Sequence, residues 1–213
     1  MFIFDLDGTL IDSNGIWADV DRTFLARRGF EYTKEYYEGV AHTIFPLAAV
    51  FTKEYCHLEE SCEEIMAEWM ELAKGNYASV PIKPFVKDYL DALKARGERM
   101  VIFTSCVPEH CRTALAVHGL EPYFERVIFA QELGSDKSNP EIFRKVASLL
   151  GVSPEECILL DDSIKSCRSA KEAGMYVMGV YDDFFDSTRE QMQSVCHKFI
   201  ESFEELLQSI FTL

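Results

Sequence analysis

The chain has 213 residues, of which 48% are hydrophobic and 27% are charged. This balance excludes an intrinsically disordered chain and supplies enough apolar side chains for a sizeable core. The length exceeds one small domain and falls short of two ordinary ones, which favours a single core with an insertion. A formal net charge of -15 repels nucleic acids and anionic membrane surfaces, so it argues against both as partners.

Seven cysteines are spread along the chain without a CxxC pair. This odd number is unlike a disulfide framework or a zinc ribbon, and it indicates a reducing compartment. The apolar run before Asp5 is too short for a secretory signal, and no run of about 18 apolar residues occurs. We therefore expect a soluble cytoplasmic protein whose oligomeric state the sequence leaves open. Three potential metal ligands lie close together in the sequence, namely Cys106, His110 and Cys111. Because the rest of a ligand set is missing, we expect these residues to pack in the core rather than bind metal.

Short apolar runs alternate with helix-like stretches along most of the chain. Runs without polar alternation are typical of strands covered on both faces, and their alternation with helices predicts an α/β fold with a Rossmann-like parallel sheet. The predicted strands are Met1 to Phe4, Met100 to Phe103, Val127 to Ala130, Ile158 to Leu160 and Met175 to Val180. The predicted helices between them are Pro108 to His118, Pro140 to Leu150 and Ile164 to Ala173.

The segment that follows the first strand lacks apolar strand runs, and its hydrophobic residues recur at helical spacing, as in Ile16, Val20 and Phe24. This pattern predicts an inserted helical cap. The predicted boundaries are a Rossmann-like core of residues 1–14 and 80–213 and a cap of residues 15–79. The aromatic residues expected in the core of the cap are Trp17, Tyr36, Tyr37 and Trp69.

Polar side chains follow three of the predicted strands: Asp5 and Asp7 after the first, Thr104 and Ser105 after the second, and Asp161 and Asp162 after the fourth. Parallel strands end at one edge of a sheet, where such folds place their ligand sites. Carboxylates crowded there raise one another's pKa values and destabilise the fold unless a cation lies among them. An all-oxygen set of ligands suits Mg²⁺, so we expect a magnesium site.

The same residue types suit phosphoryl transfer. Asp5 is placed to act as a carboxylate nucleophile, and Asp7, two residues on, as a general acid. Thr104, Ser105 and Lys137 offer hydroxyls, N–H groups and a positive charge to a phosphoryl group. Other interpretations stay open here: helix N-caps for the strand-end residues, a calcium loop for the first aspartates, and a solvated surface position for the lysine.

These residues carry a resemblance to a known family. The sequence resembles the haloacid dehalogenase superfamily, in its capped branch of β-phosphoglucomutase-like and phosphoglycolate phosphatase-like enzymes. The four motifs that carry the resemblance are Phe2 to Leu10, Val101 to Ser105, Lys137 ahead of Asn139 to Phe143, and Ile158 to Ser163. The first is highly specific, and together their order and spacing extend the resemblance over nearly the whole chain.

The resemblance implies a role for each site residue. Asp5 would accept the phosphoryl group, and Asp7 would be the acid and base and would give its backbone carbonyl to Mg²⁺. Asp162 would bind the metal, and Asp161 would bind or support it. The predicted function is that of a Mg²⁺-dependent hydrolase, which releases phosphate from a small organic phosphomonoester through an aspartyl phosphate held by Thr104 and Lys137.

Some positions depart from the family pattern. Ser138 stands where the family usually has proline after its lysine, and Ser166 lies near a position that commonly holds glycine. Dehalogenases of the family lack the second aspartate of the first motif, so Asp7 argues against dehalogenation.

The stretch from Glu35 to Thr52 bears on the substrate because it contains no Lys or Arg. A sugar-phosphate mutase resembling β-phosphoglucomutase would place an arginine there for a second phosphate. We therefore expect a monophosphate with an uncharged or partly apolar body that contacts His42 or Phe45. The alternatives are a phosphomutase and a catalytically silent phosphate-binding regulatory module of the same fold.

Overall fold

The computed structural model describes residues 1–40, 43–73 and 75–211. Within these ranges six strands form one parallel sheet in the order β3-β2-β1-β4-β5-β6. The strands are β1 (Phe2–Phe4), β2 (Met100–Thr104), β3 (Val127–Phe129), β4 (Ile158–Asp161), β5 (Tyr176–Val180) and β6 (Lys198–Ile200). The predicted α/β fold is confirmed. The edge strand β6 was not predicted, because it begins with the charged Lys198 and has only two apolar residues, so it lacks the fully apolar run that marks the other strands.

Helices cover both faces of the sheet and make up the insertion. In chain order they are α1 (Asn14–Ala26), α2 (Lys34–Val40), α3 (Phe45–Tyr55), α4 (Cys62–Ala73), α5 (Asn76–Ser79), α6 (Val86–Ala95), α7 (Pro108–His118), α8 (Pro140–Leu149), α9 (Ile164–Ala173), α10 (Arg189–Val195) and α11 (Glu204–Phe211). Across the described ranges, no helix combines the length and the apolar character that crossing a membrane requires.

Successive residues of the central strand β1 enter two different hydrophobic layers. Phe4 packs in the layer that includes residues of α6, α7 and α11, whereas Ile3 packs in the layer that includes residues of α8, α9 and α10. Both side chains are fully buried. Burial of an aliphatic or aromatic side chain of this size stabilises the fold by roughly 1.5–3 kcal/mol. Because neither face of the strand meets water, its sequence shows no polar alternation.

Three helices begin just beyond the polar strand ends. Pro108 begins α7 shortly after β2, and Pro140 begins α8 shortly after Lys137. The side chain of Asn139 caps α8 by accepting a hydrogen bond from the backbone N–H of Glu141 at 3.0 Å. Helix α9 begins directly after β4. Helix N-termini favour negative charge, so the starts of α7 and α9 favour an anion near the ends of β2 and β4.

The described residues between Asn14 and Ser79 form helices α1 to α5 and no strand. Most of their buried side chains make a hydrophobic cluster separate from the two sheet layers, whereas Tyr77 packs in the same layer as Phe4. The two connections to the sheet lie side by side: Asp12 N–H donates to Pro81 O at 2.9 Å, and Lys83 N–H donates to Leu10 O at 3.0 Å. This arrangement is compatible with a cap on two adjacent hinges, and the division at residues 15–79 stays a prediction.

Candidate active site

The ends of β1 and β4 bring three carboxylates together. Oxygen atoms of Asp5, Asp161 and Asp162 all lie within 4.8 Å of one another, and all three residues are buried. The strands pair in register, and Asp5 N–H extends the ladder by donating to Leu160 O at 2.9 Å. The residues that follow the paired positions are therefore neighbours, as the strand-end argument predicted.

Lys137 bridges two of these carboxylates. Its Nζ donates to Asp5 Oδ1 and, at 2.9 Å, to Asp161 Oδ2. Burial of Lys137 opposes its positive charge, but the attraction of Asp161 and Asp5 outweighs burial and raises the pKa of the ammonium. Lys137 therefore stays charged at its buried position and balances one of the three carboxylates.

The remaining negative charge fits a divalent cation. Burial raises the pKa of Asp5 well above its usual range, Lys137 opposes the change, and Asp161 and Asp162 reinforce it. Burial, together with repulsion from Asp161 and Asp182, raises the pKa of Asp162 to about 7. A cation among these groups would remove most of the cost of their charge. Since every donor atom is an oxygen, the chemistry of the set suits Mg²⁺.

The two aspartates at the end of β4 are held by side chains to which the sequence assigned no role. Asp162 accepts hydrogen bonds from Thr9 Oγ1 at 3.1 Å and from Asn14 Nδ2 at 2.8 Å. Asp161 accepts one from Ser166 Oγ at 2.6 Å. The serine near the family's usual glycine position thus orients a carboxylate of the cluster. No spacing rule identifies Asn14, because it meets its partner only through the fold.

A tight turn after β1 brings the backbone against this site. Gly8 has a φ of +76°, and its N–H donates to Ile11 O at 2.9 Å. A Cβ atom there would lie 2.1 Å from Asn14 Nδ2 and 2.2 Å from Asp162 Oδ2. Glycine is required both for the left-handed conformation and for the space next to a cluster carboxylate.

Asp7 is held by a different set of partners from those of the carboxylate cluster. Its Oδ1 accepts hydrogen bonds from Ser13 Oγ at 2.6 Å and from Tyr77 OH at 2.7 Å. Tyr77 OH in turn accepts from Trp17 Nε1 at 2.6 Å. The side chain of Tyr77 stacks on His110 with ring centroids 4.6 Å apart. The Asp7 carboxylate is thus oriented by Ser13, which precedes α1, and by Tyr77 of α5. A metal contact of its backbone carbonyl stays a prediction.

Thr104 and Ser105 lie at the end of β2, next to the carboxylates. Thr104 is 1% exposed, and its Oγ1 accepts the backbone N–H of Cys106 at 3.0 Å, which leaves its hydroxyl proton available. Ser105 is partly buried and faces the same cavity. The structure thus brings the predicted phosphate-binding residues together with Lys137.

A cavity of about 210 Å³ lies between these strand ends and the helices of the insertion. Its aromatic wall consists mainly of Trp17, Tyr32, Tyr37, Phe45, Trp69 and Phe184. Tyr36 is fully buried, as expected for the core of the cap. The expectation for Trp17 and Tyr37 was wrong in part, because helical spacing shows which side of a helix is apolar and not whether a cavity lies against it. Phe45 lines the cavity, and its contact with a substrate stays a prediction; His42 lies outside the described residues.

Comparisons with known proteins agree with this architecture. A 24% identical relative, a GMP/IMP nucleotidase of Escherichia coli, aligns over 98% of this chain and 94% of its own. A phosphorylated carbohydrates phosphatase of Thermotoga maritima is 25% identical over 81% of each chain. A bifunctional riboflavin kinase/FMN phosphatase of Arabidopsis thaliana is 24% identical over 84% of this chain, which spans only 47% of that relative.

Solved structures share the fold at low sequence identity. CbbY from Rhodobacter sphaeroides superposes with a TM-score of 0.80 at 20% identity, over 96% of this chain and 95% of its own. A putative β-phosphoglucomutase from Thermotoga maritima has a TM-score of 0.74 at 23% identity, over 100% and 98% of the two chains. The family model described as haloacid dehalogenase-like hydrolase matches residues 2–180. The chain therefore belongs to the haloacid dehalogenase-like hydrolase family.

Proposed function

We propose that this protein is a Mg²⁺-dependent phosphatase that hydrolyses a small organic phosphomonoester through an aspartyl phosphate at Asp5. The observation that carries the proposal is the buried cluster of Asp5, Asp161 and Asp162, bridged by Lys137 and opening on a cavity that includes Thr104. The names of the relatives, several of which are phosphatases or nucleotidases, support the same reaction.

In the first half-reaction an Asp5 carboxylate oxygen forms a bond to phosphorus while the bond from phosphorus to the leaving oxygen breaks. Asp7 gives its proton to that leaving oxygen. Thr104 and Lys137 hold the oxygens of the transferring group with a hydroxyl and a charged donor. Alignment and charge stabilisation are the main requirements of phosphoryl transfer, and these side chains provide both.

In the second half-reaction water attacks the phosphorus of the aspartyl phosphate. Asp7, now ionised, accepts a proton from that water, and the bond between phosphorus and Asp5 breaks to release inorganic phosphate. Mg²⁺, which Asp5, Asp162 and the Asp7 carbonyl would hold with Asp161 in support, supplies positive charge to the phosphoryl oxygens. Lys137 balances the charge of the nucleophile throughout the cycle.

The proposed cap of residues 15–79 would exclude water from this chemistry above a core of residues 1–14 and 80–213. The ring of Tyr37 on α2 contacts that of Phe184, which follows β5, with centroids 5.5 Å apart. This contact across the mouth of the cavity supports a closed position of the cap. Opening would release the products.

A phosphomutase is the second candidate, and the charges of the cavity argue against it. Among the described residues that line the cavity, the cations are Lys137 and Lys165, and both belong to the core part of the chain. A second phosphate bound by the cap would therefore lack a cation. The silent regulatory module is disfavoured because each side chain that the reaction needs is present.

The environment that we propose is the cytoplasm. All seven cysteines are unpaired, which supports a reducing compartment. The net charge of -15 supports a small-molecule substrate rather than a nucleic acid or membrane partner.

Release of inorganic phosphate from a panel of small phosphomonoesters, with Mg²⁺ and with a chelator, tests the proposal. We expect release that requires both Mg²⁺ and Asp5, and therefore its loss in Asp5→Asn. The matched control is Asp88→Asn, an exposed aspartate on α6, which should retain the wild-type rate. Movement of phosphate to another position of the substrate without net release would establish the mutase instead. Equal release by Asp5→Asn would overturn the mechanism.

A further inference from the structure

Two buried polar residues on the cavity wall each have a hydrogen-bonding atom that no described residue uses. Trp69 on α4 is 2% exposed, and its indole Nε1–H has no hydrogen-bond acceptor among the described residues. Asp21 on α1 is 8% exposed; its Oδ1 accepts a hydrogen bond from Tyr36 OH at 3.2 Å, and its second oxygen receives none within the described ranges. Both residues line the cavity. The buried Trp69 N–H therefore needs an acceptor, and the second Asp21 oxygen can accept from a donor in the cavity, so both favour a ligand that pairs with them.

Packing brings these two groups to the same part of the cavity. Asp21 follows Trp17 by four residues, so the two lie on one face of α1. Phe24, on the next turn of the same helix, contacts Trp69 edge to face with ring centroids 5.6 Å apart. Phe45 lies between the two tryptophans, with ring centroids 5.5 Å from each. The donor and the acceptor therefore border a wall made of flat aromatic rings.

The charges at this end of the cavity exclude an anionic substrate body. Among the described residues that line the cavity, the cations are Lys137 and Lys165, and both belong to the core part of the chain. Asp21 adds a carboxyl group on the side of the cap. Burial raises the pKa of Asp21 to about 7 against a weaker opposing effect of the Tyr36 hydrogen bond. A ligand that donates a hydrogen bond to the Asp21 carboxylate would replace the hydrogen bonds from water that burial removes.

We propose that the substrate body is a flat heteroaromatic ring that packs against these aromatic side chains and presents an N–H to Asp21 and an acceptor atom to Trp69 Nε1–H. Aromatic walls favour a planar ring over a flexible polyol, and the two polar groups require a donor beside an acceptor at the ring edge. Nucleobases have such an edge, so the substrate class is a nucleoside monophosphate or a similar ring-bearing phosphomonoester. The inference rests on the proposed phosphatase function.

Two substrates that differ only at the ring edge test the inference: inosine 5′-monophosphate, which has adjacent N–H and C=O groups, and purine riboside 5′-monophosphate, which lacks them. We expect wild-type kcat/KM to favour the inosine substrate by at least about tenfold, as hydrogen bonds to buried groups do. Trp69→Phe and Asp21→Leu should each move that ratio towards one. Phe24→Leu loosens the same packing without removing a polar group and should keep the ratio.

The outcomes separate this inference from the proposed function. The inference alone would be overturned if the wild type hydrolysed both substrates with a ratio of kcat/KM values near one. It would also be overturned if Phe24→Leu lowered this ratio as much as Trp69→Phe does. If neither is hydrolysed, calorimetric titration of both substrates into Asp5→Asn decides. If Asp5→Asn binds the inosine compound selectively and loses that binding when Trp69→Phe is added, the inference holds and the phosphatase reaction is what fails. If it binds neither compound, the inference is overturned.

Discussion

Tyr77 links Asp7, the proposed general acid, to the helices of the proposed cap, and replacing it with phenylalanine tests that link. Tyr77 OH donates to Asp7 Oδ1 at 2.7 Å and accepts from Trp17 Nε1 at 2.6 Å. Tyr77→Phe keeps the ring that stacks on His110 and removes both hydrogen bonds. The Asp7 carboxylate then retains the hydrogen bond from Ser13. Its orientation towards the leaving oxygen should become less well defined.

The size of the effect follows from the bonds that are lost. A hydrogen bond to a charged group contributes about 1.5–3 kcal/mol, which corresponds to roughly 10-fold to 150-fold in rate if it acts fully on the transition state. Since Ser13 still holds the same oxygen of Asp7, we expect about tenfold for an alkyl phosphate. General acid catalysis as a whole sets the ceiling at roughly 10²–10⁴-fold. Trp17 Nε1–H also loses its acceptor, which should destabilise the fold by about 1–3 kcal/mol.

The assay compares two leaving groups. An alkoxide needs a proton from Asp7 in order to leave, whereas p-nitrophenolate leaves without one, so Tyr77→Phe should slow alkyl phosphate hydrolysis about tenfold and p-nitrophenyl phosphate hydrolysis less than about threefold. Tyr123→Phe is the matched control: it removes a 2.6 Å hydrogen bond from a tyrosine hydroxyl to Asp91 on an exposed face. Equal losses for the two substrates would contradict a role of Tyr77 in proton transfer, because a general disturbance of the site does not distinguish leaving groups.

Two further predictions concern stability and the carboxylate cluster. Gly8→Ala should lower turnover at least about 100-fold, because the added Cβ would displace Asp162. The control is Gly29→Ala, at a similar φ of +77° with no atom within 4 Å of the added Cβ, which should only lower stability by about 1–2 kcal/mol. Turnover that falls equally in both variants would mean that backbone strain alone is responsible. The pKa of Asp21 is raised from 3.8 to about 7, so the folded protein retains a proton that the unfolded chain releases, and stability should fall as pH rises through that window. The stability of Asp21→Asn relative to wild type should therefore increase between pH 4 and pH 7 by up to about 4 kcal/mol and then level off. Chemical denaturation of both proteins across this pH range measures the difference. A difference that stays constant with pH would contradict a raised pKa of Asp21.

Local sequence predicted the core of the protein well because its signals are short in range. Apolar runs mark strands covered on both faces, and the Asp5, Asp7 and Gly8 positions lie at the end of one such run. Parallel strands must end at one edge, so the meeting of Asp5 with Asp161 and Asp162 followed without knowledge of any side-chain position.

The tertiary structure decided which side chains orient the reacting groups. Asn14 and Asp162 are 148 residues apart, and Trp17 and Tyr77 are 60 residues apart, yet both pairs are hydrogen-bonded. Periodicity likewise placed Trp69 on the apolar side of its helix without showing that its N–H lacks an acceptor at a cavity wall. Hydrogen-bond geometry and cavity shape depend on how separate elements pack together, and no local pattern along the chain encodes that packing.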